Sequence, residues 1–434
     1  MLRVIYLIAL ERVFNNAIFE NQVRKLLLKV KRENGEGMEL TLVVLLPWIE
    51  LTRRGAYSNF RRYKNELETL RQQLAHQGIR LITVRTLFPS AFFNMKAPGL
   101  AWFSLISLPV VWYLILAARA QVVHCRYYYA AFVALLATRL STRRVKVIFD
   151  VRTLLPELGI GNRTWKAHSV SFRFWKRVER WMMDRADQVI SVSPAMSRYL
   201  ELENPHARIE TIPNFVDLET FRQDEGLRRG KRGELGIENR TVLVYSGTLG
   251  MRHPAARLAQ SVQVFFRAFG ERSFFLVLTS SDEKRLEPLA VELGSFGLEK
   301  TKHWQAINAP PPKMPEYLNA ADWSFQVFAD IPVASFFSVK FAEYLSIGLP
   351  VLTHPADRAT IEIIESYGVG AVLDGNLPPE KLRASLEQNE TQLRARCLET
   401  ARNDFSLSRF AARYSEIYRE IADENSAITS KSSI

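Results

Sequence analysis

Ser338-Val339-Lys340-Phe341-Ala342-Glu343-Tyr344-Leu345-Ser346-Ile347-Gly348-Leu349-Pro350-Val351 reads as a short, capped helix with a chemical purpose at its start. Ser338 stands where an N-cap side chain satisfies the first free backbone N–H groups. Lys340 and Glu343, at i and i+3, share one face of the helix. Gly348 can end it in the left-handed conformation, and Pro350 prevents its continuation. A helix start beside a lysine attracts anions, and a carboxylate one turn further in accepts hydrogen bonds from sugar hydroxyls. Ser338, Val339, Lys340 and Glu343 together suit a nucleotide sugar, with phosphates at the N–H groups and ribose at the carboxylate. The plainer alternative is an amphipathic helix carrying one ion pair.

Other stretches repeat this alternation of strand end, loop and helix. Ile148-Phe149-Asp150-Val151-Arg152 closes one strand. Ile212-Pro213-Asn214-Phe215-Val216-Asp217, followed by Phe221, has the look of a connecting segment. Val244-Tyr245-Ser246-Gly247-Thr248-Leu249-Gly250 is a strand running into a glycine loop, and Phe405-Ser406-Leu407 opens a last helix. In their order along the chain, the five motifs resemble those of retaining GT-B glycosyltransferases of the large family 4, in a branch reading Ser-x-Lys-x-x-Glu-Tyr-Leu and Phe-Asp-x-Arg. The resemblance spans about residues 120 to 420 and is weak before residue 120. It implies an α/β protein of GT-B fold, with two Rossmann-like doubly wound domains facing across a cleft. The corresponding division is 1–218 for an acceptor-side domain and 219–405 for a nucleotide-sugar domain. Residues 406–423 would form a helix crossing back to the first domain, and 424–434 a flexible tail.

Composition agrees with this class. A chain of 434 residues suits two domains, and 47% apolar with 24% charged residues is ordinary for a folded protein. Cys125 and Cys397 are too far apart in sequence for metal-ligand spacing, which points to a reducing cytoplasm rather than a disulfide framework. The net charge of +13 comes without any helix-turn-helix, zinc-finger or RNA-reading signature, so nucleic acid is not expected as a partner. Anionic lipid and pyrophosphate-bearing substrates remain. Arg53-Arg54-Gly55-Ala56-Tyr57-Ser58-Asn59-Phe60-Arg61-Arg62-Tyr63-Lys64 interleaves basic and aromatic residues, as interfacial segments do. Arg173, Arg177 and Arg180 form a second stripe opposite Phe174, Val178, Trp181 and Met182 on an amphipathic helix. Both stripes also fit plain solvated surface.

The run Ala97–Ala118 is uncharged for 22 residues, long enough to cross a bilayer. Because a span here would cut the first domain in two, it reads instead as a buried or monotopic helix. Met1–Leu10 has Arg3 inside it and no small-residue cleavage site, so it reads as a first strand rather than a signal peptide. Further strands are expected at 39–46, 80–84, 121–124, 146–150, 188–191 and 209–212, then at 242–246, 274–278, 323–328 and 350–353. Helices are expected at 61–77, 130–140, 254–269 (with Pro254 at its first position), 282–293, 313–321 and 408–422, and Arg222–Gly236 as a flexible entry to the second domain.

Several residues carry candidate chemistry. In the loop Gly247-Thr248-Leu249-Gly250, glycines let backbone N–H groups approach phosphate oxygens. Arg252 follows and can donate a fork to a diphosphate; the same loop equally suits a structural turn. Arg126 and the Asp150–Arg152 pair end strands, where doubly wound sheets bind ligands, and are candidates for the acceptor side. The alternative reading makes Asp150 and Arg152 partners of each other, and His124 reads as a core histidine. Many members of the family carry a histidine at the position read here as Arg126. The wider family has a glutamate eight positions before Glu343, and here that position is Ser335.

The resemblance implies retention and metal independence, with Lys340, Glu343 and Arg252 as the catalytic set and no cofactor or metal. In such a front-face mechanism the leaving phosphate can itself take the acceptor proton. The chain is thus expected to transfer a sugar from a nucleotide sugar to a glycan or lipid-linked acceptor in cell-surface polysaccharide or glycolipid synthesis. It would work in the cytoplasm, peripherally on the inner face of the membrane. A catalytically degenerate GT-B binding subunit and a nucleotide-sugar epimerase are the alternatives.

Overall fold

The computed structural model describes residues 1–11, 13, 14, 16–47, 56–86, 97–250, 253–329 and 337–431. The chain divides into two compact units, one built mainly from Met1–Pro213 and Leu407–Ile434, the other from Asn214–Val333 and Ser338–Ser406.

The first unit holds a seven-stranded parallel sheet. Its strands are β1 (Leu2–Ala9), β2 (Met38–Pro47), β3 (Ile79–Thr86), β4 (Val122–Arg126), β5 (Lys146–Asp150), β6 (Gln188–Ser191) and β7 (Ile209–Thr211), in the order β3-β2-β1-β4-β5-β6-β7. From Val4 to Ala9 every residue of β1 is buried, the unbroken apolar run of a strand covered on both faces. Helices provide the crossovers. The Lys25–Asn34 helix turns Leu26, Leu27 and Val30 inward, and Ala56–His76 stops just before Gly78, whose φ of +72° suits a residue without Cβ. Tyr127–Arg139 and Val170–Met183 follow β4 and β5, and the Leu407–Lys431 helix packs on β1, β4 and the Lys25–Asn34 helix.

The second unit repeats the plan with six parallel strands: β8 (Thr241–Ser246), β9 (Ser273–Leu278), β10 (Trp304–Ile307), β11 (Trp323–Phe325), β12 (Val351–Thr353) and β13 (Gly370–Val372), ordered β10-β9-β8-β11-β12-β13. Its core joins Leu243, Phe275, Val277, Trp323 and Phe325 of the sheet to Leu258, Val262 and Phe265 of the Ala255–Phe269 helix. In each sheet the winding reverses once, between β1 and β4 and between β8 and β11. These are the points where doubly wound folds bind ligands.

One expectation is corrected. Arg222–Gly236 is not a flexible entry, because Glu225–Leu235 forms a helix within it. The Asp224 carboxylate caps this helix by accepting from the Gly226 and Leu227 amides at 2.9 and 3.0 Å, and Gly236 ends it at φ +65°. Arg228 and Arg232, one turn apart, both reach Asp322 at the mouth of β11, at 2.5 and 3.2 Å. The charge density that suggested a loop is an ion-paired helix face.

Smaller differences have local causes. β10 and β13, at the sheet edges, are short and escaped the pattern. Pro254 serves as N-cap residue rather than as the first helical position. The last helix continues to Lys431, through residues read as a tail. Arg53 and Arg54 lie outside the described residues, while Ala56–Lys64 belongs to a helix.

Candidate functional site

In the second unit the candidate donor motifs meet at the sheet reversal. β8 ends at Ser246, and the Ser246 amide donates to the Tyr344 hydroxyl at 2.8 Å. That bond pins the Val339–Ser346 helix to the end of β8 and sets Ser338–Glu343 near the glycine loop. The Ser338 side chain caps the helix by accepting from the Lys340 amide at 3.2 Å. Within the loop, the Tyr245 hydroxyl donates to the Thr248 carbonyl and the Leu249 amide to Ser281 Oγ, at 3.1 and 3.0 Å. Gly250 has φ +152°, which side chains rarely adopt, while Thr248 and Gly250 stay exposed. A Cβ on Gly247 would sit 3.0 Å from the Tyr245 hydroxyl oxygen.

Glu343 is the focal group. It is 1% exposed, and its Oε2 accepts from Lys340 Nζ at 2.7 Å. Its Oε1 has no hydrogen-bond partner. The plain ion pair is therefore present, but it uses half of the carboxylate. A buried unpaired acceptor costs about 1–3 kcal/mol and calls for a donor group. Gln326, buried just past β11, also has an unpartnered Oε1.

Arg252 and Ser335 lie outside the described residues. Three nearby residues went unnoticed in the sequence because each acts through the backbone. Arg257 NH1 donates to the Phe328 carbonyl at 2.9 Å, and His253 Nδ1 lies 2.9 Å from the Val327 carbonyl. Asp357 accepts from the Phe328 amide at 2.7 Å and caps the Arg358–Tyr367 helix through Thr360. These contacts hold the segment beyond β11. Asp357 before Arg358-Ala359-Thr360 was the one legible capping signal among them.

In the first unit the candidate acceptor residues also come together at the reversal. Arg126 Nε donates to Glu11 Oε2 at 3.0 Å, and Arg152 Nε to Asp150 Oδ2 at 2.7 Å. His124 lies between Asp150 Oδ2 at 3.3 Å and the Tyr418 hydroxyl at 2.7 Å, fully buried, as a core histidine would be. Arg152 NH2 also donates to the Tyr414 hydroxyl at 2.9 Å. Asp150 is 0% exposed, and the pairing with Arg152 is the one read as an alternative from the sequence. The network is nevertheless incomplete: Tyr6 Oη, Arg126 NH1 and Asp150 Oδ1 are buried without hydrogen-bond partners. Leu10, Tyr127 and Arg152, beyond the ends of β1, β4 and β5, have φ of +61°, +71° and +56°. Three non-glycine residues in this region, each costing about 1–3 kcal/mol, mark a strained edge of the kind found at ligand sites.

Burial alone would raise the Asp150 carboxyl, but Arg152, His124 and Arg126 outweigh it and hold the group at about 2. Burial also lowers His124, only partly opposed by Asp150, which favours a neutral imidazole. A carboxyl depressed in the folded state contributes stability above its unfolded value and loses it as pH falls toward the folded value. From 3.8 to about 2 this amounts to roughly 2 kcal/mol. Asp150→Asn should accordingly melt several degrees below the parent at pH 7, with the gap closing between pH 4 and pH 2. A gap independent of pH would show that the charge of Asp150 does not stabilise the fold.

A second buried cluster braces the chain after Arg152. Lys176 Nζ reaches Glu179 Oε1 at 2.5 Å and Glu157 Oε1 at 3.4 Å, while Tyr199 donates to Glu157 at 2.5 Å. It ties the Leu155–Gly161 helix to Val170–Met183 and Pro194–Glu203.

Two parallel, doubly wound Rossmann-like units, each with a polar cluster at its sheet reversal, are the architecture of GT-B proteins. Residues 66–220 match the family model of Glycosyltransferase Family 4. Among solved structures, sucrose-phosphate synthase from Thermosynechococcus elongatus is 14% identical with a TM-score of 0.66, over 97% of this chain and 99% of that one. HepE from Anabaena in complex with UDP is 13% identical at 0.65, over 96% and 100%. A glycosyltransferase from Rickettsia africae is 14% identical at 0.64, over 97% and 98%. At these identities the likeness is one of fold. No curated protein matches the chain.

Proposed function

We propose that the chain is a glycosyltransferase that takes a nucleotide-sugar donor at the Ser338–Glu343 helix start. The observation that carries this reading is Glu343, a buried carboxylate with one oxygen on Lys340 and the other left without a hydrogen-bond partner. The Glycosyltransferase Family 4 match and the GT-B fold support the same class. The diphosphate would meet Lys340, the helix N–H groups and the Gly247–Gly250 loop, with Arg252 as a further cation. In this reading ribose hydroxyls donate to Glu343, and the departing diphosphate is stabilised by preorganised charge. Transfer proceeds with retention and without metal, the leaving phosphate accepting the acceptor's proton. The acceptor is a glycan or lipid-linked sugar, which Arg126, Asp150 and Arg152 address on the first unit, at the cytoplasmic face of an anionic membrane.

A thermal-shift panel of nucleoside diphosphates and their sugars tests the donor half. Charge-assisted contacts contribute about 1.5–3 kcal/mol each, so Lys340→Ala should weaken donor binding or subsaturating turnover at least about tenfold. An unchanged rate would remove Lys340 from the diphosphate site. Donor hydrolysis with and without acceptor separates transfer from a binding-only subunit, and sugar recovered inverted at one carbon would indicate an epimerase.

A further inference from the structure

The Ala97–Ala117 helix is apolar on every side, yet among the described residues only one side is covered. Leu100, Phe103, Ser107, Val111 and Ile115 face inward, and Phe103 stands edge-on to Tyr129 at 5.2 Å between centroids. The opposite stripe carries Trp102, Leu105, Trp112 and Tyr113, all exposed, with Leu105 at 71% and Tyr113 at 64%. A surface helix ordinarily presents polar residues there. At 1.5 Å per residue the helix is about 30 Å long, enough to cross a bilayer. It is nevertheless built into the first unit: it packs on the Tyr127–Arg139 helix, and the Gln121 amide just beyond it donates to the Arg3 carbonyl at 2.9 Å. Crossing a membrane would tear Phe103, Val111 and Ile115 from that layer and β4 from the sheet.

The charge beside the stripe has one sign. Residues 97–149 contain no Asp or Glu. Trp112 Nε1 donates to the Leu140 carbonyl at 3.2 Å, which sets the turn after the Tyr127–Arg139 helix beside the apolar face. That turn exposes Arg139, Leu140, Arg143 and Arg144, and Arg119 is exposed just past the end of the Ala97–Ala117 helix.

We propose that this face docks on an anionic phospholipid bilayer, lying in its interface with Trp102, Leu105, Trp112 and Tyr113 among the acyl chains and glycerol groups and the arginines on the phosphates. Aromatic residues favour that depth, and a basic rim favours anionic lipid. A second copy of the chain would bring an identical positive rim against this one across a two-fold axis, which disfavours self-association. The inference deepens the membrane side of the proposed function but does not depend on glycosyl transfer.

The test uses the full chain with phosphatidylcholine vesicles and with vesicles containing one quarter phosphatidylglycerol. Binding to the anionic vesicles, a blue shift of tryptophan emission and weakening at higher salt are expected. Leu105→Asp with Tyr113→Asp, both at exposed positions, should keep the parent melting temperature and reduce vesicle affinity at least tenfold. Arg119, Arg139, Arg143 and Arg144 changed to Gln should remove the preference for anionic lipid. Parent-like binding by the Asp variant would overturn the proposal and move attention to the Arg53–Lys64 stretch. A parent dimer that this variant splits, without vesicle binding by either, would overturn it in favour of self-association. Nucleotide thermal shifts on the same samples report on the donor site separately, so failure of one reading is visible apart from the other.

Discussion

Glu343→Gln is expected to lower kcat/KM for the nucleotide sugar about a hundredfold while moving the melting temperature by only a few degrees. The substitution keeps the shape of the side chain and removes its charge. If ribose hydroxyls donate to the unpartnered Oε1 and share Oε2 with Lys340, the loss spans two charge-assisted hydrogen bonds, together roughly 3 kcal/mol. The stability effect stays small because the Lys340 side chain is about a quarter exposed and can return to water. The opposite pattern, a large drop in stability with donor affinity intact, would mean that Glu343 exists to neutralise Lys340 and that the helix start binds no nucleotide.

The second large effect is expected at Arg152. Arg152→Ala leaves the fully buried Asp150 with His124, kept neutral by burial, and Arg126 NH1 at 4.0 Å. Breaking one side of a buried ion pair typically costs about 3–5 kcal/mol, so the first unit should melt well below the parent. If Arg152 also meets the acceptor, transfer should fall while donor binding, carried on the other unit, is spared. Asp150→Asn added to Arg152→Ala removes the unpaired charge and separates the two roles. Recovered stability without recovered transfer supports an acceptor contact. Recovery of both leaves the pair structural.

The sequence exposed the features that depend on neighbours along the chain. The Ser338 cap, the Lys340–Glu343 spacing, the Gly348 stop and the strand cores at β5 and β6 are local, and each appears in the structure where periodicity and capping put it. What remained hidden depends on distant partners. Arg228 and Arg232 look like solvated charge until Asp322, some ninety residues away, is folded against them. Tyr344 reads as a core aromatic, and only its bond to the Ser246 amide makes it the pin between two candidate donor motifs. The unpartnered Glu343 oxygen and the incomplete Tyr6–Arg126–Asp150 network are matters of side-chain geometry, which spacing does not encode. The Ala97–Ala117 helix shows the limit differently: its apolarity was plain, but which face is covered is decided by the helix after β4.

Glycosyl transfer from a nucleotide sugar is the central claim. Proton NMR of the purified chain with uridine, guanosine and adenosine diphosphate sugars, in the presence of EDTA, tests it most directly. The expected result is release of the nucleoside diphosphate from one of these donors, with the first-formed sugar product keeping the donor's anomeric configuration. Donors that all remain intact, with no line broadening or shift on adding the protein, would contradict it.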